Sequence, residues 1–117
     1  MKLTPTQFGG AVAVDGYGPG FFRVGGQVMQ GAVLVTASGG TAWGGLDDRA
    51  PLLALAGQVD VLFIGMGADV AHAPADLVAA LREGGVAVES MASPTAARTY
   101  NVTLSEGRRV ACALLPL

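Results

Sequence analysis

The sequence has few charged residues, a single cysteine and no long hydrophobic run. Charged residues make up only 14% of the 117, and Cys112 has no second cysteine with which to form an internal disulfide. Among the longest unbroken apolar runs is Val110–Leu115, far shorter than the roughly 20 residues of a membrane-spanning helix. We therefore expect no disulfide scaffold and no membrane span.

Basic side chains are scarce and scattered. The net charge is −2, six of the seven basic residues are Arg, and only Arg108 and Arg109 are adjacent. Because nucleic-acid binding needs several cations on one face to neutralise phosphates, we expect no nucleic-acid partner. The opening residues Met1–Gln7 lack the apolar core and the cleavage site of a signal peptide, so a cytoplasmic location is expected.

Apolar residues and glycine are abundant. Hydrophobic residues reach 51%, glycines number 18, and the mean hydropathy is +0.50. This composition excludes disorder and predicts one tightly packed domain over residues 1–117. Since so much apolar surface is unusual on a small domain, we expect a partner to cover one face, and self-association is the simplest case.

The first third of the chain is predicted to be β-structure. Asp15–Gly20 is a glycine-rich turn cluster, and Phe21–Gln30 predicts a hairpin around Gly25-Gly26. A strand follows at Ala32–Thr36, and Ser38–Gly45 is expected to be a flexible loop that carries the only tryptophan. That side chain, Trp43, is interpreted as a cap on the core, with a role in lining a pocket as the alternative.

The middle of the chain predicts a buried central strand at Val59–Ile64. Its apolar residues do not alternate with polar ones, which is typical of a strand buried on both faces. A short helix that opens at Asp47-Asp48 precedes it. The strand at Ala32–Thr36, this helix and the central strand are therefore expected to form a β-α-β unit with parallel pairing.

The last third alternates helices and strands. A helix is expected to start at Pro74 and to end at Gly84-Gly85, before a strand at Val86–Met91. Ser93-Pro94 predicts the N-cap and first residue of another helix, and Arg109–Leu115 predicts the last strand.

The turn Gly65-Met66-Gly67 is the first place to look for function, because ligands of α/β folds bind at the carboxyl ends of central strands. A dinucleotide fingerprint would need a third glycine where Val70 stands, and a helix that starts at the turn rather than at Pro74. We therefore interpret Gly65-Met66-Gly67 as a tight turn whose glycines let the backbone pass close to neighbouring atoms, and we expect no cofactor.

Metal and nucleophile sites are also disfavoured. His72 is the only histidine, which excludes a site with several histidines, and no metal is expected. A triad of Ser93, His72 and Asp69 lacks the nucleophile-elbow sequence, so His72 is interpreted as a loop residue.

The helix that begins at Ser93 offers free backbone N–H groups, two hydroxyls and the nearby Arg98, a combination that attracts anions. Its N-terminus and the Gly65–Gly67 turn should lie on the same sheet edge, so they could share one pocket. The favoured alternative is that Ser93 caps its helix and Arg98 forms a local ion pair.

Three motifs carry a resemblance to a known family: Gly16-Tyr17-Gly18, Gly65-Met66-Gly67, and the segment Met91–Val102 followed by Glu106–Ala111. The most specific part is Thr95–Asn101. The chain resembles, over nearly its whole length, the small α/β domain family that includes mitochondrial NADH:ubiquinone oxidoreductase (complex I) assembly factor 3. An adipogenesis-associated human cytosolic protein and many bacterial and archaeal proteins share that domain.

The resemblance implies an α/β, three-layer single domain around a central mixed sheet, and the residue pattern adds an extra N-terminal β-hairpin and about three helices. The resemblance also implies a last strand antiparallel to its neighbours and no established catalytic activity. The mitochondrial members act by protein–protein contact during assembly, whereas this chain, which lacks their targeting extension, is similar to the free-standing bacterial form.

The leading hypothesis is thus a non-enzymatic, cytoplasmic protein-binding factor linked to respiratory-complex assembly, with unidentified protein partners. The alternative is a binder of a small anionic ligand, or a weak enzyme, at the sheet edge. The candidate pocket residues for that edge are Gly65, Met66, Gly67, Ser93, Thr95, Arg98, Tyr100 and Asn101.

Overall fold

The computed structural model describes residues 10–117, so the prediction about Met1–Gln7 lies outside the described residues. Eight strands and three helices follow in the order β1 (Val14–Gly18), β2 (Phe21–Val24), β3 (Gln27–Gln30), β4 (Val33–Thr36), β5 (Gly39–Ala42), α1 (Ala50–Leu53), β6 (Val61–Gly65), α2 (Ala75–Glu83), β7 (Ala87–Met91), α3 (Ser93–Ser105) and β8 (Val110–Leu114).

The strands form two sheets. A small antiparallel sheet has the order β1-β2-β3, and the central mixed sheet has the order β5-β4-β8-β6-β7. Helix α3 and the small sheet pack on one face of the central sheet, whereas α1 and α2 pack on the other. This arrangement confirms the expected α/β fold with a central mixed sheet, an N-terminal hairpin and three helices.

The core has two halves because the middle strands are apolar on both faces. In β6, Val61 and Phe63 face α3, whereas Leu62 and Ile64 face α2, and all four are buried. The side chains of β8 also alternate between the two faces, with Cys112 on the α3 side and Ala111 and Ala113 on the α2 side. The absence of alternation in the sequence is thus explained by two covered faces, as expected for a central strand.

The small sheet confirms the predicted hairpin and corrects the turn before it. Gly25 and Gly26 connect β2 and β3 with φ of +56° and +83°, conformations that glycine adopts without strain. The turn predicted over Asp15–Gly20 was wrong for most of its length, since β1 pairs with β2 up to Gly18, with a bulge beside Asp15. Glycine permits this extended, bulged strand as readily as a turn.

The loop predicted at Ser38–Gly45 is in part a strand. Residues Gly39–Ala42 form β5, the edge strand that pairs antiparallel with β4. Neighbouring-strand hydrogen bonds order this glycine-rich segment despite its low strand propensity. Trp43 caps the core as interpreted: it is 5% exposed, and its Nε1 donates to the carbonyl of Asp48 at 2.9 Å.

The predicted β-α-β unit was wrong. Strand β8 lies between β4 and β6, antiparallel to the first and parallel to the second, so β4 and β6 are neither adjacent nor parallel. The last strand, β8, was expected to be antiparallel to both of its neighbours. It is antiparallel to β4 but parallel to β6. Both β6 and β8 are continuous apolar runs, and this pattern does not specify the order of central strands.

The helices begin close to the predicted positions. Pro74 is the N-cap of α2, and Gly84 ends it. The helix expected to open at Asp47-Asp48 instead has Arg49 as its N-cap, because the Asp48 carboxylate accepts from the backbone N–H of Gly44 at 3.0 Å. Over residues 10–117, no helix has the length and apolar character needed to cross a membrane.

Candidate functional site

The Gly65–Gly67 turn and the start of α3 meet at the carboxyl ends of β6 and β8. Here the Ser93 hydroxyl donates to the carbonyl of Leu115 at 2.6 Å and accepts from the backbone N–H of Gly67 at 2.9 Å. The backbone N–H of Ser93 also donates to the carbonyl of Gly67 at 2.8 Å. Ser93 is fully buried, and it joins three segments of the chain.

Protein atoms fill the space between these segments. A β-carbon built on Gly65 would lie 2.6 Å from the Ser93 Oγ, 2.7 Å from the Ser93 Cα and 2.9 Å from Leu114 Cδ2. Real β-carbons do not come so close to other atoms, so Gly65 is required for the contact between β6 and α3. The predicted meeting of the two motifs is therefore a packed contact, stabilised by hydrogen bonds.

The predicted N-cap was wrong. Ala92 occupies that position, with φ −61° and ψ 148°, and Ser93 is the first residue of α3. The Ser93 hydroxyl bonds across to Gly67 and Leu115 rather than to its own helix. A sequence pattern of Ser followed by Pro does not distinguish these two roles, because both need a hydroxyl at the start of a helix.

Tyr100 and Asn101 attach the N-terminal segment to α3. The Tyr100 phenol donates to the carbonyl of Val12 at 2.7 Å. The Asn101 amide accepts from the N–H of Val14 at 2.9 Å and donates to the carbonyl of Val14 at 2.6 Å. These two candidate residues thus have structural partners, and they lie on the helix face directed at the small sheet.

Burial suppresses the reactivity of two nearby groups. It raises the pKa of the Tyr100 phenol, and the neighbouring Cys112 raises that pKa further. Burial also raises the pKa of the Cys112 thiol well above its usual value. Because the thiolate is the nucleophilic form, Cys112 is inert in the folded protein.

Three candidates remain. Met66 is half-buried and packs against the core half on the α2 side of the central sheet, whereas Thr95 and Arg98 are exposed on α3. Arg98 borders a groove of about 260 Å³ between β1 and α3, whose walls are residues 14–17 and Pro94, Ala97, Arg98 and Asn101. The local ion pair favoured for Arg98 is absent among residues 10–117, where the ion pairs join Arg23 to Asp15, Arg49 to Asp76 and Arg109 to Asp60.

A second groove lies at the opposite end of the central sheet and was not predicted. It measures about 360 Å³, and Thr36, Ser38, Gln58, Arg108 and Arg109 contribute polar groups to its lining. The adjacent arginines were the only signal for it in the sequence. The Arg109 guanidinium is held by Asp60 at 2.6 Å, an ion pair that lowers the pKa of that carboxyl.

The described residues contain no group of three or more His, Cys, Asp or Glu side chains placed to hold a metal ion. His72 is exposed in the loop before α2, as interpreted from the sequence. The Ser93 hydroxyl, a member of the triad that the sequence disfavoured, is bonded to Gly67 and Leu115. This geometry favours a structural role for Ser93.

Comparison with known proteins places the fold and these motifs in one family. The model of the family described as protein of unknown function (DUF498/DUF598) matches residues 14–115. The chain belongs to this family.

Relatives match over almost the full chain. An uncharacterized protein of Rhodobacter capsulatus is 56% identical over 94% of this chain and 89% of its own length. NADH dehydrogenase [ubiquinone] 1 alpha subcomplex assembly factor 3 of Danio rerio is 29% identical over 99% of this chain and 71% of its own. A crystal structure described as an outer membrane protein of Bartonella henselae superposes with a TM-score of 0.82 at 31% identity, covering 94% of this chain and 98% of that one.

Proposed function

We propose that the chain is a non-enzymatic, cytoplasmic protein-binding factor that contributes to the assembly of a respiratory complex. The observation that carries this proposal is the similarity to the zebrafish assembly factor, which extends over 99% of this chain. We treat residues 1–117 as one domain of that type, and self-association remains part of the proposal.

The geometry of the candidate residues counts against a catalytic role for them. The Ser93 hydroxyl, the Tyr100 phenol and the Asn101 amide each hydrogen bond to the backbone of another element. The Cys112 thiol is buried, and its pKa is raised. Catalysis needs a side chain that can reach a substrate, and these groups instead stabilise the contact between sheet and helix.

The test is deletion of the gene in a bacterium that encodes this chain. We expect less assembled NADH:ubiquinone oxidoreductase on native gels and slower NADH oxidation by membranes, both restored by the wild-type gene. Succinate dehydrogenase in the same membranes is the control and should not change. An unaltered amount of the assembled oxidoreductase would overturn the assembly role.

A small anionic ligand is the second candidate function, and the exposed Arg98 beside the β1–α3 groove favours it. The tight contact of Gly65 with Ser93 counts against a ligand between those residues. A thermal shift screen with phosphate, citrate and glutarate tests it, because a specific ligand raises the melting temperature by mass action. A rise that Arg98→Gln abolishes would support this function, and no rise with any of the three would count against it.

A further inference from the structure

The β1–α3 groove has an open strand edge along one wall. Strand β1 is the outer strand of the small sheet, so one side of it pairs with β2 and the other faces α3. At Val14, the Asn101 amide occupies that outer side, donating to the carbonyl and accepting from the N–H as a neighbouring strand would. Past Asn101, the edge continues to Tyr17.

The backbone of Tyr17 is directed toward the groove. Gly18 and Phe21 flank the two-residue turn Pro19-Gly20, so they form the hydrogen-bonded pair that closes the hairpin. Because hydrogen-bonded and non-hydrogen-bonded pairs alternate in an antiparallel ladder, the Tyr17–Phe22 pair is of the second kind. The N–H and C=O of Tyr17 therefore point away from β2, and among the described residues no hydrogen bond outside the ladder engages them.

The groove also carries an uncompensated positive charge. Arg98 forms no ion pair within residues 10–117, and the segment before them contains no Asp or Glu. Asp15 is the only acidic residue of the lining. Its carboxylate lies 3.5 Å from the Arg23 guanidinium and accepts from the N–H of Gly26 at 3.0 Å.

We propose that this groove binds an extended, acidic peptide segment of a partner protein, which adds a strand along β1 and places an Asp or Glu side chain against Arg98. An added strand uses the free backbone groups of Tyr17, and Ala97 and Pro94 form a small apolar wall beside it. Tyr17 is 47% exposed, and its ring offers a further apolar contact. This inference rests on the proposed protein-binding function and assigns it a site and a partner chemistry.

The predicted contact between Arg98 and an acidic side chain of the peptide is tested by phage display. Peptides from a random heptapeptide library are selected on the wild-type chain, on Arg98→Glu and on Arg82→Glu. Arg82 is an exposed arginine on α2, across the central sheet, so its variant is a matched control. We expect the wild type and Arg82→Glu to enrich Asp or Glu at one position, and Arg98→Glu to enrich Lys or Arg there. No enrichment on the wild type, or acidic enrichment that survives in Arg98→Glu, would overturn the proposal.

The strand-addition part is tested with the peptide that the wild type selects. Two variants of this peptide are made, one with N-methyl groups on the odd-numbered backbone nitrogens and one with them on the even-numbered nitrogens. One of the two should bind at least tenfold more weakly than the parent peptide, since only one of these sets of N–H groups faces β1. Tyr17→Pro removes both the outward N–H and the ring and leaves the pairing with β2, whereas Tyr17→Ala removes the ring alone. If circular dichroism shows both variants folded, Tyr17→Pro should bind more weakly than Tyr17→Ala. Equal affinity for the parent and both methylated peptides would overturn strand addition whether or not Tyr17→Pro folds.

The groove and the assembly role can fail separately. If acidic peptides are selected but deletion leaves the oxidoreductase intact, the groove stands and the assembly role falls. If deletion reduces the oxidoreductase but the library yields no acidic enrichment, the assembly role stands and the groove proposal is wrong.

Discussion

Ser93 and Gly65 are in van der Waals contact at the carboxyl edge of the central sheet, and the absence of a side chain at Gly65 makes this contact possible. A β-carbon on Gly65 would lie 2.6 Å from the Ser93 Oγ and 2.7 Å from its Cα. We predict that Gly65→Ala lowers the free energy of unfolding by about 2–3 kcal/mol, as is typical of overpacking in a core. Urea denaturation measures it.

The matched control for this change is Gly16→Ala. A β-carbon there would meet the far end of the flexible Arg23 side chain at 3.3 Å, which can move away at little cost. We expect a loss below about 0.5 kcal/mol, the scale of an ordinary surface substitution. Equal losses for the two variants would show that the Gly65–Ser93 contact is not what makes position 65 sensitive.

The Ser93 hydroxyl should be more important for stability than any other hydroxyl at the start of α3. Ser93→Ala leaves the N–H of Gly67 and the carbonyl of Leu115 without this partner in a buried region. We predict a loss of about 2–4 kcal/mol, since a fully buried group left unpaired costs about 1–3 kcal/mol and the partly buried carbonyl of Leu115 costs less than the N–H of Gly67. Thr95→Ala removes an exposed hydroxyl from the same helix and should cost less than about 0.5 kcal/mol. Equal melting temperatures for the two variants would contradict the assignment.

The Asn101 amide should be replaceable by a carboxyl only when that carboxyl is protonated. At neutral pH, Asn101→Asp cannot donate to the carbonyl of Val14, 2.6 Å from the native amide nitrogen, and should cost about 2 kcal/mol. The Val14 N–H and the exposed Arg98 favour the ionised form of the new carboxyl, but the carbonyl at 2.6 Å opposes it more strongly because it is the closest contact. We therefore expect a folded-state pKa above the unfolded value of about 3.9. The stability deficit should therefore shrink as the pH falls through the folded-state pKa toward 4.

The control is Asn101→Leu, which has no titratable group at this position. Its deficit relative to the wild type should not vary with pH between about 4 and 7, the range that brackets the carboxyl titration. Urea unfolding of the three proteins across that range checks the expectation. A deficit in Asn101→Asp that grows on acidification would show that the carbonyl of Val14 is not the facing group.

Tyr100 should make the fold sensitive to alkaline pH. Burial is the main cause of its raised pKa, so its protonated form stabilises the folded state. This contribution is fully present below the unfolded value of about 10 and is lost as the pH rises toward the folded-state value. We predict that Tyr100→Phe costs about 1 kcal/mol at pH 7, from the lost bond to Val12, but loses less stability than the wild type above pH 10.

Urea unfolding of both proteins between pH 8 and about 11.5 tests this expectation across the titration range of tyrosine. The buried Cys112 thiol, whose pKa is also raised, contributes a similar alkaline loss in both proteins, so the comparison isolates the phenol. Parallel stability curves above pH 10 would contradict a buried, protonated Tyr100.

The sequence predicted most elements, but not how the strands pair. The apolar run at β6, the glycine pair between β2 and β3, and Pro74 before α2 each have a local physical cause, and each was predicted close to its place. The insertion of β8 between β4 and β6 was not predicted, because strand pairing uses backbone groups that every residue carries. The edge strand β5 was missed because glycine has little strand propensity, and neighbouring strands decide its conformation.

The candidate site shows the same division. The sequence by itself determined the apolar strand that ends at Gly65 and the helix that starts near Ser93, since hydrophobic periodicity and helix start signals are local. Their meeting at one sheet edge was predicted only on the assumption of a parallel sheet, which the pairing of β6 with β7 and β8 confirms. Only the tertiary structure decided what they do there, because Ser93 bonds to Gly67 and Leu115, 26 and 22 residues away along the chain. It also decided that Asn101 covers the edge of β1 at Val14 while Arg98 stays exposed. Such roles depend on distant backbone groups, whose positions are set by the packing of the whole sheet.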